Sequence, residues 1–144
     1  NHPGFGCITR LLDVIEDEKD RWLLYEIGGV CLTKELFDVK GEFFNGERIY
    51  QVKHQELYYK LKSDHELFKS FVTKLLNAFD LFQECGIVHA DVKTDNILIE
   101  YDGTQIISLK FIDFGSAFNF FDTESLSLST PEYLAPEILK YLSM

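Results

Sequence analysis

"IVHADVKTDNILI", residues 87–99, sets His89, Asp91, Lys93, Asp95 and Asn96 between two apolar ends. A turn-rich loop with Asx caps accounts for any one of these groups, but poorly for Asp91, Asn96 and the later Asp113 together. Upstream, Leu67, Phe68, Phe71, Val72, Leu75, Leu76, Phe79 and Phe82 recur at helical intervals until Gly86 stops them. Ser63 and Glu66 have the spacing of a capping box at the start of that helix, and its aromatic stripe reads as a core-facing surface. Downstream, "NILIEYDGTQIISLKFIDFG", residues 96–115, holds two Ile- and Leu-rich runs around Asp102-Gly103, a favoured turn pair, and predicts a β-hairpin. In such a hairpin Asn96 enters the first strand and Asp113 leaves the second, so both fall at one end of the ribbon. Asp91 lies five residues before Asn96 in the feeding loop, so two carboxylates, a carboxamide and the Lys93 amine converge. Oxygen donors of this kind suit Mg²⁺, whose shell is usually completed by waters and substrate phosphates. The residues therefore point to a phosphate–metal site.

The 144 residues are 46% hydrophobic and 15% aromatic, enough for one domain with its own core. A formal net charge of -10, without any basic cluster, argues against nucleic acid or an anionic membrane as the main partner. Cys7, Cys31 and Cys85 are odd in number and outside any CxxC pair, which suggests neither a disulfide framework nor zinc. Reduced thiols fit a cytoplasmic or nuclear protein. No apolar run has the length of a membrane span, and no signal peptide opens the chain. The chain starts at Asn1 rather than Met and stops at Met144, which reads as a piece of a longer protein.

No internal repeat is present. "CITRLLDVI" (7–15) and "RWLLYEI" (21–27) predict adjacent antiparallel strands joined by an acidic, solvated turn. Gly28 and Gly29 mark a hinge or boundary near residues 26–30. Residues 38–62 mix charge with aromatics without a clean period and read as a loop followed by a short helix.

Three motifs in order carry a resemblance. His89-Ala90-Asp91-Val92-Lys93-Thr94-Asp95-Asn96, then Asp113-Phe114-Gly115, then Thr130-Pro131-Glu132-Tyr133-Leu134-Ala135-Pro136-Glu137 resemble the catalytic loop, metal-binding motif and substrate-loop end of a eukaryotic serine/threonine protein kinase. The resemblance spans essentially the whole chain and implies an α+β, bilobal fold, present in part. Residues 1–28 would supply small-lobe strands and the hinge, and 29–144 part of the large lobe. Asp91 would accept or orient the proton of the substrate hydroxyl, and Lys93 would steady the transferring phosphate. Asn96 and Asp113 would hold Mg²⁺. Glu26 and Gly28 would offer backbone groups to the adenine of ATP, with Leu98 as the floor and Tyr25 limiting the pocket behind. Thr130 would touch the catalytic pair, and Glu137 would be structural. Leu11, His89 and Phe114 would form a packed spine, with His89 buried and hydrogen-bonded rather than metal-bound. His2, His54 and His65 read as surface groups, and Asp95 as a solvated carboxylate.

Ala90 departs from the family, where arginine commonly pairs with a phosphorylated residue. The departure predicts activity independent of such a switch, with Ser125, Ser127 and Ser129 dispensable. "GFG" at residues 4–6 follows no strand and is not the family's Gly-rich phosphate loop, and no strand lysine with its helix glutamate is present. Residues 1–144 alone are therefore expected to be poorly stable or inactive, as part of a longer kinase. The alternatives are a non-catalytic kinase-like module that binds nucleotide or serves as a scaffold, and, more distantly, a small-molecule phosphotransferase. The expected partners are ATP and a protein substrate.

Overall fold

In the computed structural model, which describes residues 1–122 and 130–142, Asp64 opens the longest helix. Five strands and two α-helices precede it: β1 (Leu11–Glu16), β2 (Arg21–Tyr25), β3 (Val30–Cys31), α1 (Leu32–Leu36), the two strands of a hairpin described below, and α2 (Glu56–Ser63), and the helix itself is α3 (His65–Glu84). The Asp64 carboxylate accepts the Leu67 N–H at 3.0 Å, so Asp64 is the N-cap and the Ser63/Glu66 capping box does not form. The reason is that Ser63 is spent as the last residue of α2, where its hydroxyl donates to Tyr59 O at 3.0 Å. The helix buries Leu67, Ala78, Leu81 and Phe82, with Phe71 and Leu75 partly buried, whereas Phe68 and Leu76 face outward. The apolar stripe is thus wider than the buried face. At the far end Gly86, at φ +65°, turns the chain away and donates to Gln83 O.

Strands β7 (Ile97–Tyr101) and β8 (Ile106–Phe111) pair antiparallel with Ile97 opposite Phe111, and β3 pairs on the outer side of β7. The expected hairpin is present. Its turn is held by Asp102, whose carboxylate accepts the backbone N–H groups of Thr104 and Gln105 at 2.8 Å, and these bonds hold its pKa down at about 2. One face of the sheet, through Ile97, Ile99, Leu109 and Phe111, meets α3 in a core that also takes Cys7, Leu32, Leu57 and Ile106.

The other expected hairpin also forms, with β1 against β2 and Asp17 capping the turn through Lys19 N and Asp20 N at 2.8 Å. Both of its faces are exposed: Leu11, Leu12, Val14, Ile15, Trp22, Leu23, Leu24 and Tyr25 are 43–61% accessible. Residues 38–62 correct the expectation of a loop. Strands β4 (Phe37–Phe44) and β5 (Glu47–His54) form a hairpin in full register, and α2 follows it. Its turn is Asn45-Gly46, both at positive φ (51° and 84°), the conformation for which this dipeptide is favoured in two-residue hairpins. His54 stacks on Tyr58 of α2 with ring centroids 3.9 Å apart, which roots the hairpin and removes His54 from the plain surface groups.

Pro3–Cys7 is a single 3₁₀ turn rather than a loop shaped for phosphates. Gly29 precedes β3 at φ +115°, and a Cβ there would lie 2.5 Å from Ile99 O. Gly29→Ala is expected to destabilise the protein by at least about 1–2 kcal/mol, read as a lowered denaturation midpoint with an unchanged slope.

Candidate active site

The loop between β6 (Ile87–Val88) and β7 is held from beneath by His89. His89 is 3% exposed, its Nδ1 accepts the Asp91 N–H at 3.3 Å, and its Nε2 lies 3.0 Å from Ile112 O. An accepting Nδ1 places the ring proton on Nε2, which then donates to that carbonyl. The ring packs on Phe114, centroids 4.8 Å apart. Leu11, named with these two as a spine, stands half-exposed on β1 outside the core cluster. Ala90 and Asp113 both take left-handed backbone conformations, φ +64° and +60°, which non-glycine residues adopt at a cost and which concentrate at functional sites.

Asp91, 6% exposed, gathers the polar side chains around it. Its Oδ1 accepts the Thr130 hydroxyl at 2.6 Å. Its Oδ2 accepts Asn96 Nδ2 at 2.7 Å and lies 2.9 Å from Lys93 Nζ. Lys93 also donates to Thr130 Oγ1 at 2.8 Å, and the second Asn96 amide proton reaches Asp91 O at 2.9 Å. The hydrogen bond from the lysine to Asp91, more than any other influence, pushes the Lys93 pKa above its ordinary value, so the amine is firmly cationic near neutral pH. Asp91, Lys93, Asn96 and Thr130, expected together from sequence, thus share one network.

Asp113 joins it through the backbone. Ile112 N donates to Asn96 O at 3.0 Å, so Asp113 leaves β8 beside Asn96, as the hairpin argument required. Its own carboxylate is exposed and accepts Gly115 N at 3.3 Å rather than bonding to Asn96. Gly28 and Leu98 lie together, a Cβ on Gly28 falling 2.8 Å from Leu98 Cδ1. The Glu26 carboxylate is bound by the Lys110 ammonium and by Arg10 N at 2.9 Å, which together hold its pKa low. Lys110 was not singled out in the sequence, although it sits directly opposite Leu98 in the β7–β8 register. Asp95 is exposed, as a solvated carboxylate would be, and it also accepts from Thr33 Oγ1 at 3.1 Å. Ser125, Ser127 and Ser129 lie outside the described residues. Glu137 is exposed at the start of α4 (Pro136–Leu142).

His2, Asp80 and Glu84 form a second histidine–carboxylate group. His2 Nδ1 accepts Gly4 N at 3.0 Å while Nε2 lies 3.2 Å from Asp80 Oδ2. A metal on Nε2 would strip the ring of its remaining proton, so the group is a clasp tying the first turn to α3. His2 is accordingly not the surface residue expected. The three cysteines are free, Cys7 buried and Cys85 exposed.

The model for the protein kinase domain matches residues 2–144. The chain belongs to the protein kinase family. This kinase segment is 28% identical over 145 residues to the mouse hormonally up-regulated neu tumor-associated kinase, covering 96% of the chain but 16% of that protein. It is 30% identical to homolog B of the same kinase from Xenopus laevis, covering 96% of the chain and 18% of the relative. It is also 40% identical over 74 residues to the zebrafish (Danio rerio) striated muscle preferentially expressed protein kinase, covering 49% of the chain and 2% of that protein. The chain therefore spans about a sixth of the length of the first two relatives. The α+β arrangement is that of a partial kinase domain. Among the described residues no helix is long and apolar enough to cross a membrane.

Proposed function

We propose that the segment is the central part of a serine/threonine protein kinase that transfers the terminal phosphate of ATP to protein hydroxyls. The observation that carries this reading is the Thr130–Asp91–Lys93 triangle, with a hydroxyl donating to Asp91 Oδ1 at 2.6 Å beside a fixed cation. A substrate hydroxyl approaching Asp91 would meet a carboxylate ready to orient it or take its proton. Lys93 would meet the transferring phosphate as a charge already in place, so little reorganisation accompanies the reaction. The proximity of Thr130 and Lys93 to Asp91 supports the serine/threonine preference.

Asn96 and Asp113, brought to one end of the β7–β8 hairpin, carry hard oxygen donors of the kind that fits Mg²⁺, and they would be the residues to hold it. When bound, Mg²⁺ would neutralise phosphate charge. Glu26, Gly28 and Leu98 would receive the adenine, with residues 1–28 as small-lobe strands and hinge and 29–144 as part of the large lobe. Three free thiols support a cytoplasmic or nuclear setting. The exposed apolar faces of β1 and β2 support the expectation that residues 1–144 alone associate and turn over negligibly.

Asp113→Asn in the full-length protein is expected to weaken Mg²⁺-ATP binding by about tenfold or more, the loss of one charge-assisted ligand. Magnesium-dependent nucleotide titration checks it, and unchanged binding would remove Asp113 from the site. The alternative, a kinase-like module that binds nucleotide without transferring phosphate, predicts ATP binding by the full-length protein with no phosphoprotein formed.

A further inference from the structure

The turn Thr94–Asn96 lies between the two sides of the Asp91 network, with Lys93 immediately before it and Asn96 as its last residue. Lys93 supplies no side-chain cap to this turn. Among the described residues, the side-chain hydrogen bonds reaching Thr94 and Asp95 come instead from Cys31 and Thr33. Thr33 Oγ1 lies 2.8 Å from Thr94 Oγ1 and 3.1 Å from Asp95 Oδ1. A hydroxyl has one proton and an ionised carboxylate only accepts, so the three groups form a relay. Thr94 O–H donates to Thr33 Oγ1, and Thr33 O–H donates to Asp95. Cys31 Sγ stands 3.7 Å from both Thr94 O and Asp95 O.

The mount is rigid. Leu32, beside Thr33, is fully buried in the core, and Cys31 is registered opposite Leu98 in the sheet. The same short stretch that leaves the hinge therefore grips the catalytic-loop turn.

We infer that Thr33 is a positioning residue for phosphoryl transfer: its hydroxyl holds the Thr94–Asn96 turn and thereby the placement of Lys93 relative to Asn96. The inference rests on the phosphotransfer reading above. Small displacements of reacting groups are costly in rate, whereas the adenine groups proposed at Glu26, Gly28 and Leu98 lie outside this turn, and Asn96 keeps its carboxamide when Thr33 is changed.

The test compares Thr33→Val, Thr33→Ser, Thr94→Val and the Thr33→Val/Thr94→Val pair in the full-length protein, with Asp91→Asn as benchmark. Thr33→Val keeps the side-chain volume and loses the hydroxyl. It is expected to lower kcat about three- to tenfold, the rate equivalent of one hydrogen bond, with KM for ATP changed by less than about twofold. Thr33→Ser should restore kcat to within about twofold, and the double variant should be no slower than the slower single, because both remove the same relay. Thr94→Val removes a hydroxyl from the other partner and keeps the test open if Thr33→Val folds poorly. Unchanged kcat in Thr33→Val and Thr94→Val, or equal losses in Thr33→Val and Thr33→Ser, would overturn the inference while an inactive Asp91→Asn left the phosphotransfer reading standing. Full turnover in Asp91→Asn would instead overturn that reading, and the inference with it.

Discussion

Asp91→Asn in the full-length protein is expected to lower kcat by about 10²–10⁴-fold while leaving ATP affinity nearly unchanged. The substitution preserves size and planarity but removes the charge that Lys93 Nζ, 2.9 Å away, now balances. Oδ2 accepts from both Asn96 and Lys93, and Oδ1 accepts from Thr130 at 2.6 Å. An amide can present one oxygen only, so its NH₂ must face a donor, either Thr130 on one side or Lys93 and Asn96 on the other. The adenine groups proposed at Glu26, Gly28 and Leu98 lie outside this network, which is why nucleotide binding should survive. Steady-state phosphorylation of a generic protein substrate, with nucleotide binding measured on the same preparation, decides the matter. Full turnover would remove Asp91 from the role assigned to it.

Phe111→Ala is expected to cost about 3–5 kcal/mol of stability. Phe111 is 0% exposed, and its ring stands edge-on to Phe79 and Phe82 with centroids 5.4 Å away, and 5.7 Å from that of His89. Truncation leaves a void among rings that have no room to close over it. The backbone carbonyl of the same residue accepts from both Thr9 N and Thr9 Oγ1 at 3.3 Å, so β8 also anchors the segment before β1. Because β8 delivers Asp113, two residues on, the loss should extend to Mg²⁺-ATP binding. Urea denaturation of the full-length protein reads the first effect, with Phe111→Leu expected to fall well short of it because it fills most of the void. A change below about 1 kcal/mol in the alanine variant would show that this cluster is not the core it looks to be.

Much of the architecture was legible because it is local. The 3.6-residue recurrence from Leu67 to Phe82 specifies α3, the Asp102-Gly103 turn between Ile-rich runs specifies β7 and β8, and the acidic stretch after Ile15 separates β1 from β2. The hairpin of β4 and β5 escaped because its alternation is broken by Gly41 and by the adjacent Phe43 and Phe44, although Asn45-Gly46 is itself a strong hairpin signal. The cap of α3 was misplaced by one residue because α2 ends immediately before it and takes Ser63 for itself.

By itself the sequence determined the family, the helix-and-hairpin frame and the convergence of Asp91, Lys93 and Asn96, since spacing along one loop and one hairpin constrains which groups can meet. Only the tertiary structure decided the other long-range partners: Lys110 on Glu26, His2 on Asp80 and Thr33 on the Thr94–Asn96 turn. These pairs lie 84, 78 and 61 residues apart, and no local periodicity encodes which side chains the folding of such distant segments brings within hydrogen-bonding distance.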